Sequence, residues 1–236
     1  MLRRTHMALA AALGAGVIAA GAGMSAEATP EPPGMPVEET PPTARETSPA
    51  PLQEPLGPTA RPAHAEIKDV NGVTVGALDL TEDQDGKSEI TVTVNGLPAG
   101  YHGFHIHNKG VCDPKSIDPG TGSPFFSAGD HLNLGPESHP GHSGDLPDLL
   151  VGANGTGKAS FVTDRFRVAQ LIDTDGSAIV VHAAPDNHAN IPDRYSRPSD
   201  TTDPDAETTM TTGPDEQTLK TGDSGGRIAC GAIGIR

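Results

Sequence analysis

The chain has 236 residues, of which 34% are hydrophobic, with 29 glycines, 23 prolines and no tryptophan. This composition predicts one domain of medium size joined to segments of low complexity. The formal charge of −15 at pH 7 argues against a nucleic-acid partner, which would require a basic surface.

Residues 1–26 predict export. Arg3 and Arg4 precede an apolar stretch of small residues from Met7 to Met24 that carries no charge, and small residues around Ala26 suit cleavage. This is the pattern of a signal peptide, and the stretch is short for a membrane anchor. The arginine pair also fits a twin-arginine signal, but the residues after it match poorly, so ordinary secretion is favoured.

The mature chain is expected in the cell envelope or the medium, with no stable membrane span after cleavage. Cleavage removes two arginines and no carboxylate, which takes the formal charge from −15 to −17.

Residues 27–62 predict a disordered linker. The segment is rich in Pro, Glu, Thr and Ala and lacks hydrophobic periodicity, so it cannot bury enough apolar surface to offset the entropy of ordering. It either tethers the domain to a membrane or cell wall or acts only as a spacer.

Residues 63–236 predict an all-β domain. Apolar residues alternate with small or polar ones around Val73 and Val75 and again from Ile90 to Val94, which is the period of strands. Further short apolar runs bounded by turn residues lie at Phe104 to His107, Ala159 to Val162, Ile179 to His182 and Ile228 to Ile235. Many short strands separated by turns predict an antiparallel sandwich or barrel.

Two connections in this domain are too long to be turns. They run from Asn108 to about Asn154 and from Asn187 to about Gly226. Long connections in a compact domain are usually functional or disordered.

Seven of the ten histidines fall in three clusters beside these connections. The first cluster contains His102, His105 and His107. Of these, His105 and His107 are two residues apart, so on a strand both imidazoles share one face and can reach one ion. His182 ends a later strand and can bring a distant imidazole to that pair. The remaining cluster joins three imidazoles to one carboxylate, a donor set that suits zinc. Its members are His131, His139, His142 and Asp145.

The order of the clusters carries more weight than any one histidine. A single histidine is most often a surface residue or a hydrogen-bonded core residue. Three clusters followed by the run from Lys220 to Gly231, which contains Arg227 and Cys230, form a far more specific pattern.

These motifs resemble the Cu/Zn superoxide dismutases over nearly the whole domain. The resemblance implies a Greek-key antiparallel β-sandwich or barrel with two long functional loops. It also implies copper and zinc as cofactors and the dismutation of superoxide to oxygen and hydrogen peroxide. The implied copper ligands are His105, His107, His131 and His182, and the implied zinc ligands are His131, His139, His142 and Asp145.

The resemblance also implies two active-site cations. Arg227 corresponds to the family's active-site arginine, and Lys220 has the spacing of the lysine that assists substrate steering. A structural arginine bonded to loop carbonyls is the plainer interpretation of Arg227, and both roles are compatible. His131 is expected to serve both ions and to take part in proton transfer.

Further residues take supporting roles in this resemblance. Asp186 corresponds to a carboxylate that hydrogen-bonds one copper ligand and one zinc ligand, and His102 to a structural histidine. Cys112 and Cys230 match the family's disulfide, which suits secretion, whereas two free thiols are the alternative.

The sequence departs from the better-known members of the family at three points. His139 and His142 are only three residues apart, which compresses the zinc loop and leaves zinc occupancy to be measured. Asp130 stands where a glycine is common. The segment from Asn187 to Leu219 is acidic and rich in Pro and Thr, so the resemblance does not imply that this loop steers the substrate.

Two other functions compete with an enzyme that protects the cell envelope from superoxide. A copper storage or delivery module would need the histidines but neither Arg227 nor Lys220. A member with structural zinc alone would not need the copper set. A homodimer is compatible with the resemblance.

Overall fold

The computed structural model describes residues 61–199 and 210–236. The predicted signal peptide and all but the last two residues of the predicted linker lie outside the described residues. In the described part, no helix has the length and apolar character needed to cross a membrane.

The described residues form an all-β domain. The strands are β1 (Ala63–Asp69), β2 (Thr74–Glu82), β3 (Ser88–Asn95), β4 (Gly100–His107), β5 (Asp145–Val151), β6 (Thr156–Thr163), β7 (Ala178–His182), β8 (Ser196–Pro198), β9 (Met210–Thr212), β10 (Arg227–Ala232) and β11 (Gly234–Ile235). One short helix, α1 (Glu216–Thr221), and two 3₁₀ turns, Phe126–Ala128 and Val168–Leu171, accompany them.

The main sheet closes on itself. Its order is β1, β2, β3, β6, β5, β4, β7 and β10, and β10 pairs back with β1 to complete an eight-stranded antiparallel barrel. β11 also pairs with β1, while β8 and β9 form a separate two-stranded antiparallel sheet. Because β3 lies beside β6 rather than β4, the connections have the expected Greek-key form.

Apolar side chains that alternate with outward-facing residues along the strands fill the barrel. In β3, Ile90, Val92 and Val94 are buried and the residues between them face outwards. The interior cluster also includes Leu78, Phe104, Leu149 and Ile179 from other strands. Fully burying one such side chain contributes roughly 1.5–3 kcal/mol, so this interior is the main source of stability.

A smaller apolar cluster lies outside the barrel, beneath the first long connection. Phe125 and Ala128 from that connection pack against Ala178 and Val180 of β7 and against Cys230 of β10. A disulfide between Cys112 and Cys230 fastens the connection to the last long strand, as the resemblance implied.

The structure differs from the sequence prediction in both long connections. The first ends at β5, because Asp145 to Val151 form a strand although Pro147 and Asp148 interrupt its apolar pattern. The second contains the paired strands β8 and β9 and the helix α1, where only loop was predicted. α1 is six residues long, too short for a helical stripe, and it is capped by Asp215, whose Oδ1 accepts from Thr218 N at 2.8 Å.

Removing the disulfide is expected to lower the free energy of unfolding by roughly 4–5 kcal/mol, because the cross-link restricts a long loop in the unfolded chain. The bonded residues are 118 positions apart. The measurement is urea unfolding of the metal-free Cys112→Ser/Cys230→Ser protein. Wild-type protein kept reduced serves as the control and should unfold with the variant. Equal midpoints for oxidised wild type and variant would contradict the expectation.

Candidate metal centre

Two neighbouring strands direct the first group of site residues outwards from the barrel. Phe104 and Ile106 of β4 point into the core, so His105 and His107 point to the opposite face. On β7, His182 follows Val181, another core residue. The site therefore begins on the outer face of the sheet, under the long connections.

Strand register brings distant residues next to this face. His182 pairs directly with Arg227 of β10, and His105 pairs with Asp145, the first residue of β5. An isolated bridge joins His107 to His131 of the first long connection.

The structure brings both predicted ligand sets together. In each set, one ligand atom per residue lies within 4.8 Å of the others. One set is His105, His107, His131 and His182, and the other is His131, His139, His142 and Asp145. All four histidines of the first set are buried. His131 belongs to both sets, and its Nδ1 lies 2.7 Å from Asp145 Oδ1, which leaves Nε2 for the first set.

Each imidazole of the first set apart from His131 is fixed through one ring nitrogen. His107 Nδ1 donates to the Gly129 carbonyl at 2.9 Å, and His182 Nδ1 donates to the Gly225 carbonyl at 3.0 Å. His105 Nε2 lies 2.8 Å from Asp186 Oδ2. Since these oxygens only accept, the proton sits on the bonded nitrogen and the other nitrogen offers a lone pair.

The remaining nitrogens fit a pair of metal ions. Among the described residues, five buried imidazole nitrogens have no hydrogen-bond partner: His105 Nδ1, His107 Nε2, His182 Nε2, His139 Nδ1 and His142 Nδ1. Buried polar atoms without partners are costly, so two groups of them converging on common points indicate cation sites. Imidazoles suit copper, and three imidazoles with one carboxylate suit zinc.

Burial keeps three imidazoles of the first set in the form that binds metals. It lowers the pKa of His105 to about 4, although Asp186 acts in the opposite direction. It also holds the pKa values of His107 and His182 well below 6.5. These side chains are therefore neutral at pH 7, which a metal-binding imidazole must be.

The second set differs from the first because it contains a carboxylate, Asp145. Burial by itself would raise the pKa of Asp145, but the hydrogen bond with His131 and the neighbouring imidazole of His139 hold it far below its usual range. Burial would likewise lower the pKa of His139, yet Asp145 and Asp186 raise it to about 9. His139 Nδ1 lies 3.0 Å from Asp145 Oδ2 without hydrogen-bond geometry. A positive charge at this nitrogen is therefore strongly favoured.

The two supporting residues implied by the resemblance lie at the centre. Asp186 is buried, and its Oδ1 and Oδ2 each lie 2.8 Å from a ring nitrogen, one on His139 and one on His105. His102 Nδ1 lies 2.7 Å from the His182 carbonyl, and its Nε2 lies 2.9 Å from the Pro98 carbonyl. His102 thus ties the end of β7 to the turn before β4.

An open cleft of about 540 Å³ leads to the first set. His107, His131, His182 and Arg227 line it, with Lys220 and Asp130 also on its wall. Lys220 Nζ lies 3.5 Å from Asp130 Oδ1, and both side chains are exposed.

Arg227 lies in this cleft and is also structural. Its guanidinium donates to the carbonyls of Phe125 and Gly129, both at 2.6 Å, so it supports the first long connection as well. Burial lowers the pKa of Arg227, and the nearby Asp130 and Asp118 act against that shift.

Sequence reasoning missed two residues that support the centre. Gly222, in the left-handed region at φ 59°, ends α1, and a Cβ there would overlap the Asp186 carboxylate and the His139 ring. Gly222 lies in the C-terminal run that carries the resemblance, so its position was a usable signal. Arg165 Nη1 donates to the carbonyls of Pro140, His142 and Asp145 at 2.9, 3.3 and 3.3 Å, and nothing in the sequence marks it.

Comparison with known proteins decides the family. The model of the family described as copper/zinc superoxide dismutase (SODC) matches residues 74–233. The chain belongs to the copper/zinc superoxide dismutase family. The activity is the dismutation of superoxide, and the cofactors are copper and zinc.

Individual relatives agree with this family. The chain is 40% identical over 189 residues to a Cu-Zn superoxide dismutase of Mycolicibacterium paratuberculosis, covering 75% of this chain and 76% of that protein. It is also 40% identical over 164 residues to one from Mycobacterium tuberculosis, covering 65% of this chain and 62% of that protein. The match therefore spans slightly less than two thirds of the latter.

Solved structures share the fold. The Cu/Zn superoxide dismutase of Brucella abortus matches with a TM-score of 0.52 and 25% identity, covering 73% of this chain and 99% of that one. The clock protein EA4 matches with a TM-score of 0.55 and 27% identity, covering 76% of this chain and 97% of that one.

We expect Gly222→Ala to weaken zinc binding roughly 10- to 100-fold, because the added methyl displaces the carboxylate that orients a zinc-set imidazole. Competition with a chromophoric zinc chelator measures the affinity. Gly213→Ala is the matched control, since Gly213 also has a positive φ, of 81°, but has open space around its Cβ position. Equal zinc affinities for Gly222→Ala and Gly213→Ala would refute the expected role.

Proposed function

We propose that the chain dismutates superoxide at the cleft that Arg227 lines. Copper would be held by His105, His107, His131 and His182, and zinc by His131, His139, His142 and Asp145. The observation that carries this proposal is the convergence of buried, unpartnered imidazole nitrogens on two points, one of them beside an open cleft and a guanidinium.

Each ion would supply a different chemistry when bound. Copper would supply one-electron exchange with superoxide, for which imidazole ligands are suitable, and zinc would have no redox part. The overall reaction converts two superoxide ions and two protons to oxygen and hydrogen peroxide.

His131 is the residue proposed to move a proton. Its Nδ1 lies beside Asp145 while its ring lines the cleft. Whenever Nε2 does not hold the copper ion, it would take up one proton from solvent and give it to the second superoxide, and solvent would supply the other proton. Asp145 keeps the ring oriented while Nε2 changes protonation.

Arg227 is proposed to draw the anion to the cleft. At low ionic strength, a small anion is repelled by a chain with a formal charge of −15 unless a local cation focuses it. The two carbonyls that hold the guanidinium keep it in position, so little reorganisation is needed when the anion arrives. Lys220 is proposed to assist at the rim.

Metal stoichiometry combined with the copper EPR spectrum and a cyanide-sensitive dismutase assay tests this function. We expect one copper and one zinc per chain and dismutation that cyanide abolishes. Copper binding without dismutation would instead indicate storage or delivery. Zinc without copper after periplasmic expression would indicate a structural zinc protein.

We also propose that the domain, residues 63–236, acts in the cell envelope or outside the cell, where it protects the envelope from superoxide. Residues 1–26 would serve as a cleaved signal and residues 27–62 as a linker. The disulfide supports this proposal, because such bonds persist in oxidising compartments. N-terminal sequencing of exported protein tests it.

A homodimer is a further part of the proposal. Tyr101 of β4 and Leu150 of β5 pair across the sheet and are 57% and 52% exposed, so they offer apolar surface on the outside of the barrel. Sedimentation equilibrium tests the assembly.

Arg227→Ala is expected to lower kcat/KM about tenfold and to weaken its dependence on salt, since the focusing charge is lost while the imidazoles remain. Pulse radiolysis gives the rate, and metal analysis checks that copper stays bound. Arg167→Ala is the control, because it removes an equal charge from an exposed arginine bonded to the Gly86 carbonyl, away from the cleft. Equal rates for the two variants would count against the role of Arg227.

A further inference from the structure

Acidic side chains outnumber the cations that line the cleft. Among the described residues that line it, the cations are Arg227 and Lys220 and the carboxylates are Asp118, Asp130 and Asp223. Before any metal ion is counted, two positive charges face three negative ones, a formal charge of −1. The side chains of the wall, taken by themselves, are therefore not positive overall.

Two of these carboxylates hold loops together. Asp118 Oδ1 accepts from Gly120 N at 2.8 Å and so closes a turn of the first connection. Asp223 Oδ2 accepts from Asn187 Nδ2 and Thr218 Oγ1, both at 2.7 Å. Their presence in the cleft is explained by local structure.

Asp130 is different from both. Its backbone is held in place, because its carbonyl accepts from Asn108 N at 2.9 Å, but its side chain is 65% exposed at the rim. The contact that the structure gives its carboxylate is the ion pair with Lys220 at 3.5 Å. An exposed pair at this distance contributes little to stability, so folding does not account for this carboxylate.

Asp130 lies where its negative charge offsets both cations of the cleft. It directly precedes His131, and its charge acts on Arg227 as well as on Lys220. An anion at the rim interacts with Lys220 and Asp130 together, and this ion pair is a dipole rather than a free cation. The attraction of a dipole falls off faster with distance than that of a single charge, so Lys220 draws anions only weakly while Asp130 is present.

We propose that Asp130 restrains the entry of the anionic substrate by neutralising Lys220 and opposing Arg227. It controls the entrance of the cleft and is not a catalytic residue, since it contacts neither a metal ion nor the reacting atoms. This inference rests on the proposed function, because it concerns the rate at which superoxide reaches the same site.

The variant that tests it is Asp130→Asn, which keeps the shape of the side chain and removes the charge. We expect kcat/KM from pulse radiolysis to rise roughly two- to fivefold at about 10 mM ionic strength, because a unit charge near the path of the anion is removed. The rise should vanish at about 0.5 M salt, where screening acts over only a few ångströms. Azide binding, followed by the copper absorption band, should tighten by a similar factor, and this readout does not depend on turnover.

The control is Glu66→Gln. Glu66 pairs with Lys68 at 3.0 Å, and these side chains are 52% and 49% exposed, so the substitution breaks a comparable ion pair outside the residues that line the cleft. It changes the net charge by the same amount, and we expect no change in the rate or in azide affinity. If Asp130→Asn and Glu66→Gln behave alike in both measurements, Asp130 has no such role.

A double-mutant cycle tests the neutralisation of Lys220 directly. Lys220→Gln should reduce the rate and azide affinity only slightly in the wild-type background and clearly more in the Asp130→Asn background. Equal effects in both backgrounds would overturn the pairing. Failure of the proposed function would appear separately, as copper-loaded wild type without dismutase activity, and azide binding would then still decide the role of Asp130.

Discussion

The centre depends on the buried carboxylate of Asp186. Its side chain is 1% exposed, and its two oxygens accept from His105 and His139, one residue from each ligand set. Burial by itself would raise the pKa of Asp186, but these hydrogen bonds hold it below its usual range, so the group is an anion. Because one rigid group orients both rings, neither ligand set can move without disturbing the other.

The barrel supplies the precision that this arrangement requires. His105, His107, His182 and Arg227 lie on or at the ends of adjacent strands, whose separation and register are fixed by the backbone ladder. The first long connection brings in His131, His139 and His142, and it is fastened where it passes the strands, among other places by the disulfide from Cys112 to β10. Strands thus position three members of the first set and Asp145, and the fastened loop completes both sets.

Strands and motifs could largely be predicted from the sequence, whereas the long-range contacts between them could not. β3 was predictable because its alternation is unbroken, whereas Pro147 and two aspartates hid β5 inside a predicted loop. The order of the histidine clusters indicated two ligand sets, and the structure brings these residues together. The register that joins His105 to Asp145 is a long-range property with no local signal. The same holds for the three carbonyls that Arg165 binds.

The electrostatics of the cleft follow from the range of each charge. The formal charge of −15 is spread over the whole chain, and at physiological ionic strength its repulsion is screened beyond about 8 Å. Charges within that distance of the entrance therefore act on an approaching anion more strongly than the net charge does. Arg227 is partly buried, so solvent screens it less than it screens the exposed pair of Lys220 and Asp130. The attraction felt at the end of the approach depends on Arg227, while the rim pair governs how often an anion gets that far.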